Sequence, residues 1–116
     1  MKILVLCTFG KNRSRFLAEY LLKKGYVADY AGVENAQAKT QAKIDACDVI
    51  VSVHPTVVKK LKSDFDLKGK KVIELDVDDR PQEVLCLIKP LQGDAWLEFQ
   101  KRYVFSKLVE QIDKFF

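Results

Sequence analysis

The sequence predicts an α/β domain, a three-layer sandwich in which helices flank a four-stranded parallel sheet. Three observations carry that expectation. Apolar runs alternate with helically patterned segments, as in strands joined by helical crossovers. The first run, Ile3-Leu4-Val5-Leu6, is apolar at every position, as a strand buried on both faces should be. At 116 residues, 48% of them hydrophobic, the chain has the size and composition of one domain, residues 1–116, with its own core.

The elements follow in order. Lys2–Leu6 is the first strand, and Cys7–Arg13 is a turn containing Gly10 and Asn12. Ser14–Lys24 is a helix: Leu17, Tyr20, Leu21 and Lys24 recur at helical spacing, and Gly25 suits its C-terminal cap. Val27–Ala31 is a second strand, and the Ala- and Gln-rich Ala36–Ala46 a short helix. Val49–Val53 is a third buried strand. Pro55 fits the first turn of the next helix, Thr56–Lys62. Lys71–Leu75 is the fourth strand, followed by a polar loop, Asp76-Val77-Asp78-Asp79-Arg80-Pro81. Pro81 opens a short helix to Ile88, which Pro90 stops. Asp94 caps a last helix running towards Phe116, with Leu97, Val104, Leu108, Ile112 and Phe115 along one face. Trp96, Phe99 and Tyr103 also share a helix face and read as packing residues.

Composition narrows the function. Three cysteines cannot form a complete disulfide framework, which points to a reducing cytoplasm. No window approaches the roughly eighteen consecutive apolar residues of a membrane span. The N-terminal run is too short for a secretory core and lacks a cleavage site. The net charge is +4, with lysines gathered between Lys59 and Lys71. That stretch reads as a solvated surface or as a contact for an acidic or phosphorylated partner. It offers only Phe65 as an interleaved aromatic, which argues against nucleic acid.

In parallel α/β sheets ligands sit beyond the carboxyl ends of the strands. Cys7 and the Asp76–Asp79 loop both follow strands directly and should share that edge. The segment Cys7-Thr8-Phe9-Gly10-Lys11-Asn12-Arg13-Ser14 supplies what a thiolate acting on phosphate needs. A helix N-terminus and a nearby cation favour a thiolate. Successive backbone N–H groups of the turn, Thr8 to Asn12, can converge on a dianion. Gly10 permits the left-handed backbone such a turn requires. Arg13 offers a planar fork to two phosphate oxygens, and Ser14 a hydrogen bond to the Cys7 sulfur. Thr8, Phe9, Gly10, Lys11, Asn12 and Ser14 are thus the candidate binding residues, with Cys7 and Arg13 at the chemistry. Displacing an alkoxide from phosphorus also needs a proton donor. Asp76, Asp78 and Asp79 are the candidates.

Cys7-x5-Arg13-Ser14 after an N-terminal strand, in so short a chain, resembles the low-molecular-weight protein tyrosine phosphatase family. Asp48–Val53 with the following Lys-rich helix resembles that family's third strand and next helix. Leu75-Asp76-Val77-Asp78-Asp79 is similar to its Asp-x-x-Asp acid loop. The resemblance spans most of residues 2 to 90. It implies Cys7 as nucleophile, Arg13 as phosphate clamp and Asp79 as general acid, with Asp78 the alternative. It implies a phosphocysteine intermediate, a phosphorylated protein or small phosphomonoester as substrate, and no metal or cofactor. The chain departs from the family in lacking aromatics after the acid loop. It also has Asn12 where many members carry a second cysteine, so Cys47 and Cys86 read as core thiols. Gly32–Thr40 could border the cleft, and Phe9 could supply an aromatic wall.

Other readings use the same residues. A phosphatase of the serine-rich tail of RNA polymerase also has Asn before Arg-Ser, and Lys24-Gly25-Tyr26 resembles it. Arsenate reductases share the loop but need two further cysteines within reach. The cysteine-phosphorylated carriers of sugar phosphotransferase systems generally lack the arginine. A phosphate-binding module without turnover would not need Cys7, Arg13 and Asp79 together. His54, the only histidine, reads as a turn residue before Pro55.

Overall fold

The structure, a computed structural model, describes residues 1–85 and 91–116. Strands β1 (Lys2–Cys7), β2 (Val27–Gly32), β3 (Val49–Ser52) and β4 (Lys71–Glu74) form one parallel sheet in the order β2-β1-β3-β4. The helices are α1 (Arg13–Lys23), α2 (Gln37–Ala46), α3 (Pro55–Asp64), α4 (Pro81–Val84), α5 (Gly93–Phe99) and α6 (Phe105–Ile112). A π-helical turn, Gln100–Val104, joins α5 to α6.

The central place of β1 explains its unbroken apolar run: Ile3, Leu4, Val5 and Leu6 are at most 1% exposed. The chain steps from β1 outward to β2, then back past β1 to β3 and on to β4. Right-handed crossovers in opposite directions place α1 on one face of the sheet and α2 and α3 on the other. The helix α6 joins α1, with the Phe105 ring stacked on Phe16 at 4.0 Å. On the opposite side Gln37 Nε2 donates to Asp64 O at 2.6 Å and Gln41 Nε2 to Asp66 O at 2.8 Å. This is the three-layer sandwich expected from the sequence.

Element ends have local causes. Gly25, at φ +98°, follows the cap of α1, and Tyr26 N and Gly25 N donate back to Leu21 O and Leu22 O. Lys70 lies in the lysine stretch read as solvated, yet its ammonium donates to Ile44 O, Asp45 O and Cys47 O. It closes the C-terminal end of α2, where carbonyls lack helical partners. Cys47 is 3% exposed, and burial pushes its thiol above the ordinary value, as befits a core thiol.

Several expected boundaries move. Asp94 does not cap α5; Gln92 holds that position, without a side-chain bond, and Asp94 sits in the first turn. Leu97 and Phe115 do not line the buried face; they are 49% and 50% exposed. The π turn holds an extra residue, which throws Leu97 out of phase with Val104, Leu108 and Ile112. Phe115 lies beyond the end of α6. Phe99 and Tyr103 do share a face, with rings stacked at 5.3 Å. The helix opened by Pro81 spans only Pro81–Val84; Cys86, Ile88 and Pro90 lie outside the described residues.

Asp113 ties the chain's end to α1, accepting from Lys24 Nζ at 2.9 Å and Tyr20 Oη at 2.8 Å. These bonds, Lys24's first, hold its carboxyl below the ordinary value. The stability it contributes is present above the unfolded value of about 3.9 and lost as pH falls through the lower folded value. Asp113→Asn should therefore lower the melting temperature at neutral pH, modestly for an exposed pair. Melts across the acid range should show the difference from the parent vanishing once the carboxyl is protonated in both states.

Candidate active site

β1 ends at Cys7, and Asp76–Arg80 follows β4 at the same edge of the parallel sheet. Between Cys7 and α1 the backbone turns with its carbonyls outward. Val33 N donates to Cys7 O and Glu34 N to Thr8 O, each at 2.9 Å, and Asn35 Nδ2 donates to Phe9 O at 2.9 Å. A peptide whose C=O faces out presents its N–H to the inside. Gly10, at φ +69°, completes the turn and donates its N–H to Cys7 Sγ at 3.1 Å. The loop lies so close to the end of β2 that a Cβ on Gly32 would stand 2.4 Å from Phe9 C and 2.6 Å from Gly10 N.

The sulfur is 3.0 Å from Ser14 Oγ, and Ser14 is fully buried in the first turn of α1. Both contacts suit a thiolate, which accepts hydrogen bonds. Arg13 is 6% exposed. Its Nη1 donates to Val77 O at 2.7 Å, and its Nε lies 3.4 Å from Asp79 Oδ2. That separation is close enough for an ion pair but is not aligned as a hydrogen bond. Arg13 Nε is a buried donor with no hydrogen-bond partner among the described residues.

A cleft of about 270 Å³ is lined by Cys7, Thr8, Phe9, Lys11, Asn12, Arg13 and Asp79. A recess of about 350 Å³ shares Thr8, Phe9, Arg13 and Asp79 and adds His54, Thr56, Asp78 and Arg80. Gly10 and Ser14 do not line the cleft; they hold the sulfur. Phe9 is 61% exposed at the rim. The segment Gly32–Thr40 does not border this cleft. It braces the loop from behind, with Thr40 Oγ1 bonded to Gly32 O at 2.9 Å.

The three aspartates separate by environment. Asp76 has an exposed side chain, and Gln111 clamps its backbone, donating to Asp76 O at 3.0 Å and accepting from Asp76 N at 2.8 Å. Asp78 takes hydrogen bonds from the Arg80 guanidinium, from Nη2 at 2.7 Å and from Nε at 3.0 and 3.3 Å. These hold its carboxyl below the usual range, and the backbone N–H of Arg80 adds to the effect. Asp79 faces Arg13 and the cleft.

His54 does more than turn the chain. Its Nδ1 accepts from Thr56 N at 3.2 Å and caps α3. In the neutral ring the proton is therefore on Nε2, which faces Asp76 at 3.7 Å and Asp78 at 3.9 Å. Two glutamines escaped the sequence reading. Gln100 Nε2 donates to Asp79 O at 2.9 Å while its Oε1 accepts from Asn12 Nδ2 at 2.6 Å; Gln111 holds Asp76 as described above. A signal for Gln100 was present: it stands four residues before Val104, in line with Leu108 and Ile112, a polar residue on an apolar stripe. Cys47 lies at the opposite end of the sheet, where Asp48 N bonds Lys2 O. Five strand steps of about 3.3 Å put it roughly 16 Å from Cys7, out of disulfide reach.

Gly32→Ala should destabilise the protein by about 1–3 kcal/mol, because backbone rather than a flexible side chain meets the new methyl. Urea unfolding of the variant measures the loss.

No protein-family model and no curated protein matches the chain. Among solved structures it is similar to the solution structure of a low molecular weight protein tyrosine phosphatase from Bacillus subtilis. The match covers 99% of each chain with a TM-score of 0.52 at 14% identity. The resemblance read from Cys7-x5-Arg13-Ser14 thus extends to the whole architecture: the chain has the fold of a low-molecular-weight protein tyrosine phosphatase.

Proposed function

We propose that the protein is a cysteine-dependent phosphatase that hydrolyses phosphomonoesters through a phosphocysteine intermediate. One observation carries this reading. The Cys7 sulfur, the buried Arg13 guanidinium, whose Nε has no hydrogen-bond partner among the described residues, and the Asp79 carboxyl meet in a single cleft. A buried cation with a donor to spare in front of a nucleophile suits an anionic substrate.

The phosphoryl group sits over Cys7, its oxygens accepting from loop N–H groups and from Arg13. Cys7 attacks phosphorus; the S–P bond forms as the P–O bond to the leaving group breaks. Asp79 gives its proton to the departing oxygen. Asp79, now a carboxylate, takes a proton from water as the water oxygen attacks phosphorus. The P–S bond then breaks, with the electron pair returning to sulfur, where Ser14 and the Gly10 N–H receive it. Asp79 lines the cleft that holds Cys7 and Asp78 does not, which supports Asp79 as the proton donor. Phe9 offers an exposed ring at the rim to an aryl leaving group. Aryl phosphates, phosphotyrosine on protein among them, are the preferred substrates.

Steady-state hydrolysis of p-nitrophenyl phosphate tests the roles. Cys7→Ser should abolish turnover. Arg13→Lys should lower kcat by about 10²–10³-fold, because an ammonium does not reproduce the planar fork. Near-normal turnover by Arg13→Lys would overturn the mechanism. Asp79→Asn should cost about 10²–10⁴-fold on phenyl phosphate, whose leaving group needs a proton, and Asp78→Asn far less. The reverse order would move the proton donor to Asp78.

A further inference from the structure

We propose that Gln100 is a positioning residue that ties the acid loop to the phosphate loop, setting where Asp79 meets the leaving group. This rests on the phosphatase reading above and adds to it a residue from the far end of the chain.

Gln100 is 1% exposed. It occupies the apolar stripe of the C-terminal helices, where Val104, Leu108 and Ile112 are all fully buried. A leucine could fill such a position without a polar group to desolvate; a glutamine there requires partners for its whole amide. It has them. Asp79 O can only accept, so the amide atom facing it at 2.9 Å is the NH₂ group. Oε1 then faces Asn12, whose Nδ2 donates at 2.6 Å. The orientation of the amide follows from its partners.

These contacts close a ring. Asn12 is bonded covalently to Arg13, Arg13 Nε faces the Asp79 carboxylate at 3.4 Å, Asp79 O accepts from Gln100, and Gln100 accepts from Asn12. The ring contains the proposed clamp and the proposed acid, both of which line the cleft, and Gln100 closes it without lining the cleft itself. The π turn makes it reachable. Phe105 N bonds to Gln100 O across five residues. The wider turn retards the helical phase, so Gln100 stays in line with Val104 and Leu108 instead of drifting towards solvent. Eleven residues on, Gln111 clamps the backbone of Asp76, so both ends of Asp76–Asp79 are held from the same run of helix.

The test uses Gln100→Leu, which keeps bulk and loses both bonds, and Gln100→Glu, which can accept from Asn12 but not donate to Asp79 O. Two readouts are taken. The first is kcat on aryl phosphates whose leaving groups range from p-nitrophenol to phenol. Misplacing the acid should cost about 10- to 100-fold on phenyl phosphate and little on p-nitrophenyl phosphate. A structural role alone would lower both alike. The second is hydrogen exchange of the amides in residues 76–80, which should speed up in the variants while that of β1 and β3 stays unchanged. Equal loss on all substrates, or unchanged exchange at 76–80, overturns the proposal. Should the parent protein hydrolyse none of these esters, the phosphatase reading fails by itself. Exchange then decides whether Gln100 holds the loop. Should Gln100→Leu not fold, Gln100→Glu carries both readouts.

Discussion

The site depends on the outward tie of three consecutive carbonyls. Cys7 O, Thr8 O and Phe9 O are taken by Val33 N, Glu34 N and Asn35 Nδ2, so the loop cannot turn its oxygens towards the sulfur. Backbone oxygens there would repel any anion; backbone N–H groups attract one. The tie requires two chain segments to approach within a distance that no side chain allows, which is why Gly32 stands opposite Phe9 and Gly10. Thr40 holds Gly32 O from the other side. A contact between β2 and the loop after β1 therefore determines the electrostatic sign of the cleft.

Arg13 is the second organising element. Burial of a guanidinium is costly unless its donors are met. Here Nη1 is met by Val77 O, and Nε faces Asp79 without a hydrogen bond. Val77 and Asp79 both belong to the loop after β4, so the cation draws that loop towards Cys7. The neighbouring Arg80 engages Asp78 in turn. Two adjacent aspartates thereby acquire different surroundings, one bound to a surface arginine and the other aimed into the cleft. The C-terminal helices complete the arrangement through Gln100 and Gln111, which hold the backbone of the loop and leave the Asp79 carboxyl to the cleft.

Much of this was legible in the sequence, for physical reasons that differ by element. β1 shows as an unbroken apolar run because a central parallel strand is covered on both faces. Cys7, Gly10, Arg13 and Ser14 act within one short loop, so local spacing carries their relation. The Asp-x-x-Asp spacing from Asp76 favoured Asp79 and left Asp78 as the alternative, since spacing does not say which way each side chain points. Asp78 is paired with Arg80, while Asp79 lines the cleft beside Cys7. Gln100 was missed because its partners, Asn12 and Asp79, are remote in sequence and a glutamine has no characteristic spacing. The π turn was missed because the apolar pattern was continued at the ordinary helical period, which also misplaced Leu97 on the buried face. Lys70 looked like one more surface lysine, yet three carbonyls at the end of α2 take its charge.

The most direct test is chemical capture at the sulfur. Turnover of an aryl phosphate is quenched in acid at successive times, and the peptide carrying Cys7 is weighed by mass spectrometry. The expected result is a phosphoryl group on Cys7 that appears and decays at the rate of phosphate release. Phosphate release with Cys7 unmodified would contradict attack by sulfur, and a label that persists without release would contradict the phosphatase.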